Sequence, residues 1–347
     1  MSASMNHIVS KSCLFTWFIV SIGVIMIYVY VKLTSINSDE IILTSVNAQW
    51  IMTVKNFHKI KKCICFQFCS LLYKGGNICM SNEGVKYYEN YREEDRITTN
   101  NARRIEFLTT CKYFDELFYS PQKILDCAAG TGAYAFRLAE QGHDVTATDI
   151  TPRHIEYINN HLKDKNYHME TAVLDATDMS IFVDESFDVV LNMGPFYHLT
   201  SEDMRSRCFA ESLRVLKKGG YLVIAYIPRL YLNQMIAMTD TQYVDKSLLN
   251  QIRNTGVLKS DDPKCFWTDT YYSSFEEMQQ LYKEKGLTIE KHFAQDGISP
   301  MFHKIVDAWS EEQFKTWYNY HLSVCEEKSI IDMSNHVVTI GRKNDLK

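Results

Sequence analysis

The sequence predicts an α/β fold in which a parallel sheet carries helices on both faces. Three observations predict it. Between residues 102 and 227, short apolar runs alternate with helical patterns. A turn of small residues, Ala128-Ala129-Gly130-Thr131-Gly132, opens a helix directly after the first run. An acid stands at the end of each of the first three runs: Asp126, Asp149 and Asp175.

The elements follow in order. Ser81 can cap a helix through Tyr88 and Tyr91. Over 102–118, Ile105, Leu108, Cys111 and Phe114 fall on one side of a helix. Strands are expected over 123–128, 144–150, 170–174, 187–193 and 221–227, with helices over 134–141, 152–163 and 201–216. Lys217-Lys218-Gly219-Gly220 reads as a helix stop, with cations near the last carbonyls and glycines free to take positive φ. After the fifth strand the alternation breaks. Residues 229–272 are aromatic-rich and irregular, with Tyr231, Tyr243, Trp267, Tyr271 and Tyr272. A helix over 274–285 and a strand over 287–294 follow. A helical insert over 310–325 opens with the Ser310–Gln313 capping box, and a strand over 336–342 ends the pattern.

Composition bounds the class. In 347 residues, 46% are apolar and 23% charged, as in ordinary folded domains. With 6 Pro and 14 Gly, collagen and Pro-rich or wholly disordered chains are excluded. The first 79 residues carry seven lysines against Asp39 and Glu40, a net +5. The remaining 268 carry 30 basic and 40 acidic residues, a net −10. So acidic a unit is a poor match for nucleic acid, and small-molecule partners are expected.

Residues 1–79 read as a leader and 80–347 as the main folded domain. The uncharged run 13–31 is long enough, at about 28 Å, to cross a bilayer as a helix. Lysines mostly follow it, which would leave the large domain in the cytoplasm, anchored to the membrane. The rival expectation is that translation starts at Met80, since Lys74-Gly75-Gly76 can be encoded by a ribosome-binding sequence. The domain is then cytoplasmic, with no membrane contact. Cys63, Cys65 and Cys69 lack paired zinc spacing even with His58 nearby, so no metal is expected. The scattered cysteines downstream read as reduced and buried.

The turn at 128–132 carries the chemistry. Small residues let a ligand approach the backbone, and the following helix offers free amides and partial positive charge. Gly130-x-Gly132-x-x-Ala135 also fits a relaxed dinucleotide fingerprint. Asp126 discriminates, because a carboxylate there repels a pyrophosphate and welcomes an ammonium group. An acid after the second strand suits ribose hydroxyls. One after the third can accept from an adenine amino group. A strand-end Asp is also a common N-cap, but three beside one turn are harder to explain so.

Together these residues resemble the class I S-adenosylmethionine-dependent methyltransferases over about residues 80–347. The resemblance implies a Rossmann-like seven-stranded sheet, mostly parallel with a final antiparallel strand, and helical or aromatic cap insertions at 229–272 and 297–333. It implies S-adenosylmethionine as cofactor, with Asp126, Ala128, Gly130, Thr131 and Gly132 at its methionine part. Asp149 and Ile150 would take the ribose, and Asp175 and Ala176 the adenine. Residues 187–195, including Asn192, look like the fourth motif, and 213–220 like the helix and turn after it. Ala128 stands where the family's loop has its first glycine, which adds a methyl at the closest approach.

Tyr197 and His198 follow the fourth motif, and His198 is the first choice for a base or substrate donor. Packing or capping explains it as well. Phe314, Trp317, Tyr318, His321, Leu322 and Cys325 share one helix face. Core packing is the preferred reading of that stripe, with a lid over the substrate as the rival. Cys127 has no apparent His or Asp partner for a nucleophilic role. The expected function is methyl transfer to a small-molecule acceptor. The rivals are a nicotinamide-dependent oxidoreductase and a non-catalytic S-adenosylmethionine-binding module.

Overall fold

The computed structural model describes residues 15–22, 25–37, 40–45, 49–53, 100–119, 121–265 and 267–344. The chain forms two units, Met1–Tyr73 and Lys74–Lys347.

In the first unit, β1 (Phe15–Ile22), β2 (Ile25–Asn37), β3 (Glu40–Ser45) and β4 (Gln49–Thr53) pair antiparallel in chain order. This corrects the membrane-crossing helix expected over 13–31. The described residues there are strands, and no described helix is long and apolar enough to cross a membrane. The physical reason lies in composition: Thr16, Trp17, Phe18, Ile19 and Val20, then Tyr28, Val29, Tyr30 and Val31, are β-branched or aromatic. The run is thus as well suited to a hairpin as to a helix. The helix at Ser81–Tyr91, the Cys63–Cys69 cluster and the start at Met80 lie outside the described residues.

The second unit opens with α1 (Asn101–Leu117), capped by Asn100, whose side chain accepts the Arg103 amide at 3.0 Å. Then come β5 (Lys123–Cys127), α2 (Ala133–Glu140), β6 (Asp144–Asp149), α3 (Pro152–Leu162), β7 (Met169–Val173) and β8 (Phe187–Asn192). Next are α4 (Pro195–His198), α5 (Glu202–Val215), β9 (Leu216–Tyr226), α6 (Arg229–Thr239) and α7 (Lys246–Thr255). A short hairpin, β10 (Val257–Leu258) with β11 (Thr270–Tyr271), leads to α8 (Phe275–Glu284) and β12 (Leu287–Ala294). The unit ends with α9 (His303–Asp307), α10 (Glu311–Val324), α11 (Lys328–Ile331) and β13 (Val337–Lys343).

Seven strands form one sheet in the order β12-β13-β9-β8-β5-β6-β7. Strands β5 to β9 pair parallel, and β13 runs antiparallel to both β9 and β12. The central strands are buried on both faces, with Val189, Val190, Leu191, Leu222, Val223 and Ile224 at 0% exposure. That follows from helices covering both faces of a parallel sheet. The expected Rossmann-like seven-stranded α/β sheet is therefore present.

Two local expectations are corrected. Helix α5 ends at Val215 and Leu216 already opens β9, so Lys217–Gly220 belong to the strand, not to the helix end. The pairing of β8 and β9 shifts register there, and a Cβ on Gly220 would stand 2.7 Å from the Asp188 carbonyl oxygen. Glycine is needed there for that close approach. Residues 229–272 are not irregular either, since they fold as α6, α7 and the β10–β11 hairpin. Tyr231, Leu232, Ile236, Leu248 and Ile252 have helical spacing and share one buried cluster with Leu258 and Tyr272.

Candidate functional site

Order within the sheet reverses between β5 and β8, because the chain leaves β5 toward β6 and returns to the other side at β8. A crevice forms at the carboxyl ends of strands at such a switch point. Here it is a cavity of about 460 Å³. Its walls come from the ends of β5 to β9 and β12, the start of α1, α6 and the loop before β11.

One half of the cavity holds the predicted cofactor residues. Asp126, Ala128, Gly130, Thr131, Asp149, Ile150, Asp175 and Ala176 all line it. Gly132 does not. It caps α2 at φ 83°, and a Cβ there would press on Ile158 Cγ1 at 3.0 Å. Asn192 does not line it either. Fully buried, it donates from Nδ2 to Cys208 Sγ at 3.0 Å and to Ser212 Oγ at 3.5 Å, which ties β8 to α5. Cys127 is a buried free thiol outside the cavity lining.

The turn is built tightly. Ala128 has φ 63° and Gly130 φ 56°, so an alanine occupies the left-handed region that favours glycine. Asp149 braces the turn from the neighbouring strand. Its Oδ2 accepts the Gly130 amide at 2.9 Å and its Oδ1 accepts the Thr151 amide at 2.8 Å. His154 Nδ1 approaches Asp149 Oδ1 at 3.3 Å. Asp175 Oδ1 accepts from the Thr177 amide at 2.8 Å and its hydroxyl at 2.9 Å. Both acids therefore also hold their own turns, each bonding the residue two further on, though neither caps a helix.

Asp126 is different. It is 1% exposed, and neither carboxylate oxygen has a well-formed hydrogen bond. Burial, reinforced by the charge of Asp149, pushes its carboxyl up to about 7, while the Ala135 amide pulls weakly the other way. A buried carboxylate without partners is unfavourable by several kcal/mol. An ammonium group from a ligand would relieve that cost. The donor set thus fits S-adenosylmethionine: an orphaned acid for the amino group, a helix amino end for the carboxylate, and acids at two further strand ends.

The other half of the cavity is lined by Tyr197, His198, Ile227, Tyr231, Leu232, Met235, Trp267 and Tyr272. A Cβ on Gly194 would lie 3.9 Å from both the Tyr197 hydroxyl and Ala128 Cβ, so that hydroxyl hangs over the turn. His198 Nδ1 stands 3.3 Å from the Asp269 carbonyl and its ring is 5.4 Å from Trp267. Burial pushes its imidazole down to about 4, despite that carbonyl. The ring is then neutral near pH 7, with Nδ1–H donating to the Asp269 carbonyl.

The 297–333 segment contributes no residue to the lining. Val306 and Phe314 instead pack on Ala102 and Ile105 of α1, and His321 and Cys325 are buried, as core packing requires. Sequence reasoning missed Arg103, Glu106, His154, Gln295, Asn335 and His336, which all line the cavity. No local pattern marks them, because Glu106 and His336 meet only through the sheet order. Glu106, Asp296 and His336 also offer ligand atoms within 4.8 Å of one another, a cluster the expectation of no metal did not foresee.

Residues 124–220 match the family model of a methyltransferase domain. A glycine/sarcosine N-methyltransferase of Parasynechococcus marenigrum is 27% identical over 153 residues, 42% of this chain and 54% of the relative. A glycine/sarcosine N-methyltransferase of Aphanothece halophytica is 32% identical over 107 residues, 30% of this chain and 40% of the relative. The aligned stretch thus spans about half the length of these relatives or less. A solved S-adenosylmethionine-dependent methyltransferase from Methanosarcina mazei is similar at TM-score 0.48 and 19% identity, covering 67% of this chain and 97% of that one. The match over residues 124–220, on the sheet and turn described above, supports a class I S-adenosylmethionine-dependent methyltransferase.

Proposed function

We propose that the chain transfers a methyl group from S-adenosylmethionine to a small-molecule acceptor. The observation that carries the reading is Asp126, a buried carboxylate without a well-formed partner beneath a small-residue turn. When bound, the cofactor supplies a methyl group on a positively charged sulfur and leaves as S-adenosylhomocysteine. Asp126 would neutralise the ammonium group of its methionine part. Asp149 and Ile150 would hold the ribose, and Asp175 with Ala176 the adenine, leaving no place for a pyrophosphate beside Asp126. Ile227, Leu232, Met235 and Trp267 exclude water from the acceptor half, which favours a displacement at a charged sulfur. Positioning supplies much of such a reaction. Tyr197 and His198 would bound the acceptor, with His198 as a base or substrate donor.

A cavity of about 460 Å³ suits a small acceptor rather than a macromolecule. The acidic balance of the unit argues the same way against nucleic acid. Free thiols at Cys111, Cys127, Cys208, Cys265 and Cys325 support a reducing, cytoplasmic setting.

Calorimetry tests the cofactor: S-adenosylmethionine and S-adenosylhomocysteine should bind, and NAD and NADP should not. Label transfer from methyl-labelled cofactor to a metabolite pool tests the reaction. Tight nicotinamide binding would sink the reading, and cofactor binding without any transfer would leave a binding module.

A further inference from the structure

We propose that the methyl acceptor is an uncharged ring compound, its apolar ring seated on a wall built by Leu232, Met235 and Trp267. The inference rests on the methyl-transfer reading and names its acceptor class.

The wall comes from the segment that follows β9. Helix α6 turns Tyr231, Leu232 and Met235 to the cavity, and Trp267 comes from the loop before β11. Ile227 joins them where β9 passes into α6. Ile227, Tyr231 and Leu232 are only 4%, 4% and 3% exposed although they line a cavity, so water has little access to this wall. Ile236, Leu248, Ile252 and Leu258 pack behind it in one cluster with Tyr231 and Leu232, which fixes its position. The segment lies beyond residues 124–220, so the wall is no part of what this chain shares with the family model.

The wall carries no charge. Among the described residues of 229–272, no Asp, Glu, Lys or Arg lines the cavity. Several of the segment's charged groups are engaged elsewhere. Arg229 donates to the Tyr272 carbonyl at 2.7 Å and pairs with Glu277 at 2.5 Å, and Lys264 pairs with Asp245 at 2.7 Å. Asp269 Oδ1 accepts the Ser260 amide and hydroxyl, each at 2.7 Å. The Asp, Glu and Arg residues that do line the cavity come from α1 and the ends of β5, β6 and β7. An ammonium or carboxylate group laid on the wall would lose its water and gain no counter-charge from it, which is unfavourable. Burial that pushes the His198 imidazole down to about 4 reports the same poorly hydrated surroundings.

Flat side chains continue the wall toward the turn. The Tyr197 and His198 ring centroids are 4.7 Å apart, and Trp267 follows at 5.4 Å from His198, inclined by 63°. Aromatic side chains gain most from a flat partner, in offset or edge contact. A ring covers this surface, whereas an acceptor of two or three carbons leaves much of it wet.

The transfer balances for such an acceptor. Its hydroxyl or amino atom bonds to the methyl carbon as the C–S bond breaks, and the electron pair of that bond stays on sulfur. The acceptor's proton passes to water. The products are the methylated ring compound, S-adenosylhomocysteine and one proton.

The test uses the full chain saturated with S-adenosylhomocysteine, near neutral pH. Calorimetry compares phenol, catechol, aniline and cyclohexanol with glycine, sarcosine, ethanolamine and 1-propanol. At least one ring compound should bind about tenfold more tightly than every member of the second group. Trp267→Ala should weaken that ring compound about tenfold, and Met235→Glu, which sets a charge in the wall, should weaken it further. S-adenosylhomocysteine affinity should be retained in both, which also reports an intact fold. Ring binding that survives both substitutions places the ring elsewhere and overturns the inference. If S-adenosylhomocysteine binds and no ring compound exceeds glycine, sarcosine, ethanolamine and 1-propanol, the inference is overturned and methyl transfer stands. If S-adenosylhomocysteine itself does not bind, both readings fall. Should a variant fail to fold, the wild-type comparison still decides.

Discussion

Asp149 Oδ2 accepts the Gly130 amide at 2.9 Å, so the acid that ends β6 holds the turn that follows β5. With Oδ1 on the Thr151 amide, one buried side chain fixes the geometry of two adjacent loops. Asp149→Ala should therefore lose about 1–3 kcal/mol of stability, because buried amides are left without acceptors. It should also weaken S-adenosylhomocysteine by a comparable amount. Denaturant melts and calorimetry measure the two separately. Weaker binding at unchanged stability would show that Asp149 serves the ligand and not the turn.

Ala128 pays a backbone penalty at φ 63°. An L-residue in the left-handed region is strained by roughly 1–2 kcal/mol, and glycine is not. Ala128→Gly should raise stability by about 1 kcal/mol, a Tm increase of about 2–4 °C for a unit this size. Ala128→Val should lower the Tm, since a branched side chain is worse there. A thermal scan checks both signs.

Asp126 makes stability and binding depend on pH in opposite senses. Unfolded, an aspartate titrates near 3.9. Folded, burial and Asp149 raise Asp126 to about 7. Between these values the folded chain binds the proton more firmly, so ligand-free stability should fall as pH rises from about 4 to about 7 and then level off. Affinity for a ligand ammonium group should rise over the approach to pH 7, by up to about tenfold per pH unit. Asp126→Asn should flatten both curves. Melts and calorimetry across pH 5 to 8 read them.

His198 should not titrate in the working range. Burial holds its imidazole at about 4, so it stays neutral from pH 5 upward. Any turnover inflection between pH 5 and 8 should persist in His198→Gln. His198→Ala should lower kcat about tenfold to a hundredfold and leave S-adenosylhomocysteine affinity nearly unchanged. Cofactor affinity falling in step with turnover would make the residue purely structural.

Much was legible in the sequence of residues 102–342 because its causes are local. Strand–helix alternation, the small-residue turn and the acids at three strand ends each follow from residues close in the chain. So do the capping box at Ser310 and Gln313 and the buried stripe from Phe314 to Cys325, both present in α10. Where local cues are shared by two structures, the reading failed. The apolar run 13–31 suits strand as well as helix, and 229–272 hid a helical spacing behind its aromatics. Asn192 belonged to a recognisable motif, yet its direction was decided by Cys208 and Ser212 on α5.

The sequence by itself determined the fold class and the half of the cavity around residues 126–132, because one turn and the ends of consecutive strands build that half. Beyond Tyr197 and His198, tertiary structure decided the other half. Glu106, Gln295 and His336 stand far apart in the chain and meet only because β13 inserts between β9 and β12, which carries the end of β12 and the start of β13 to α1. A charge cluster assembled across a sheet leaves no periodicity or spacing in the chain to read.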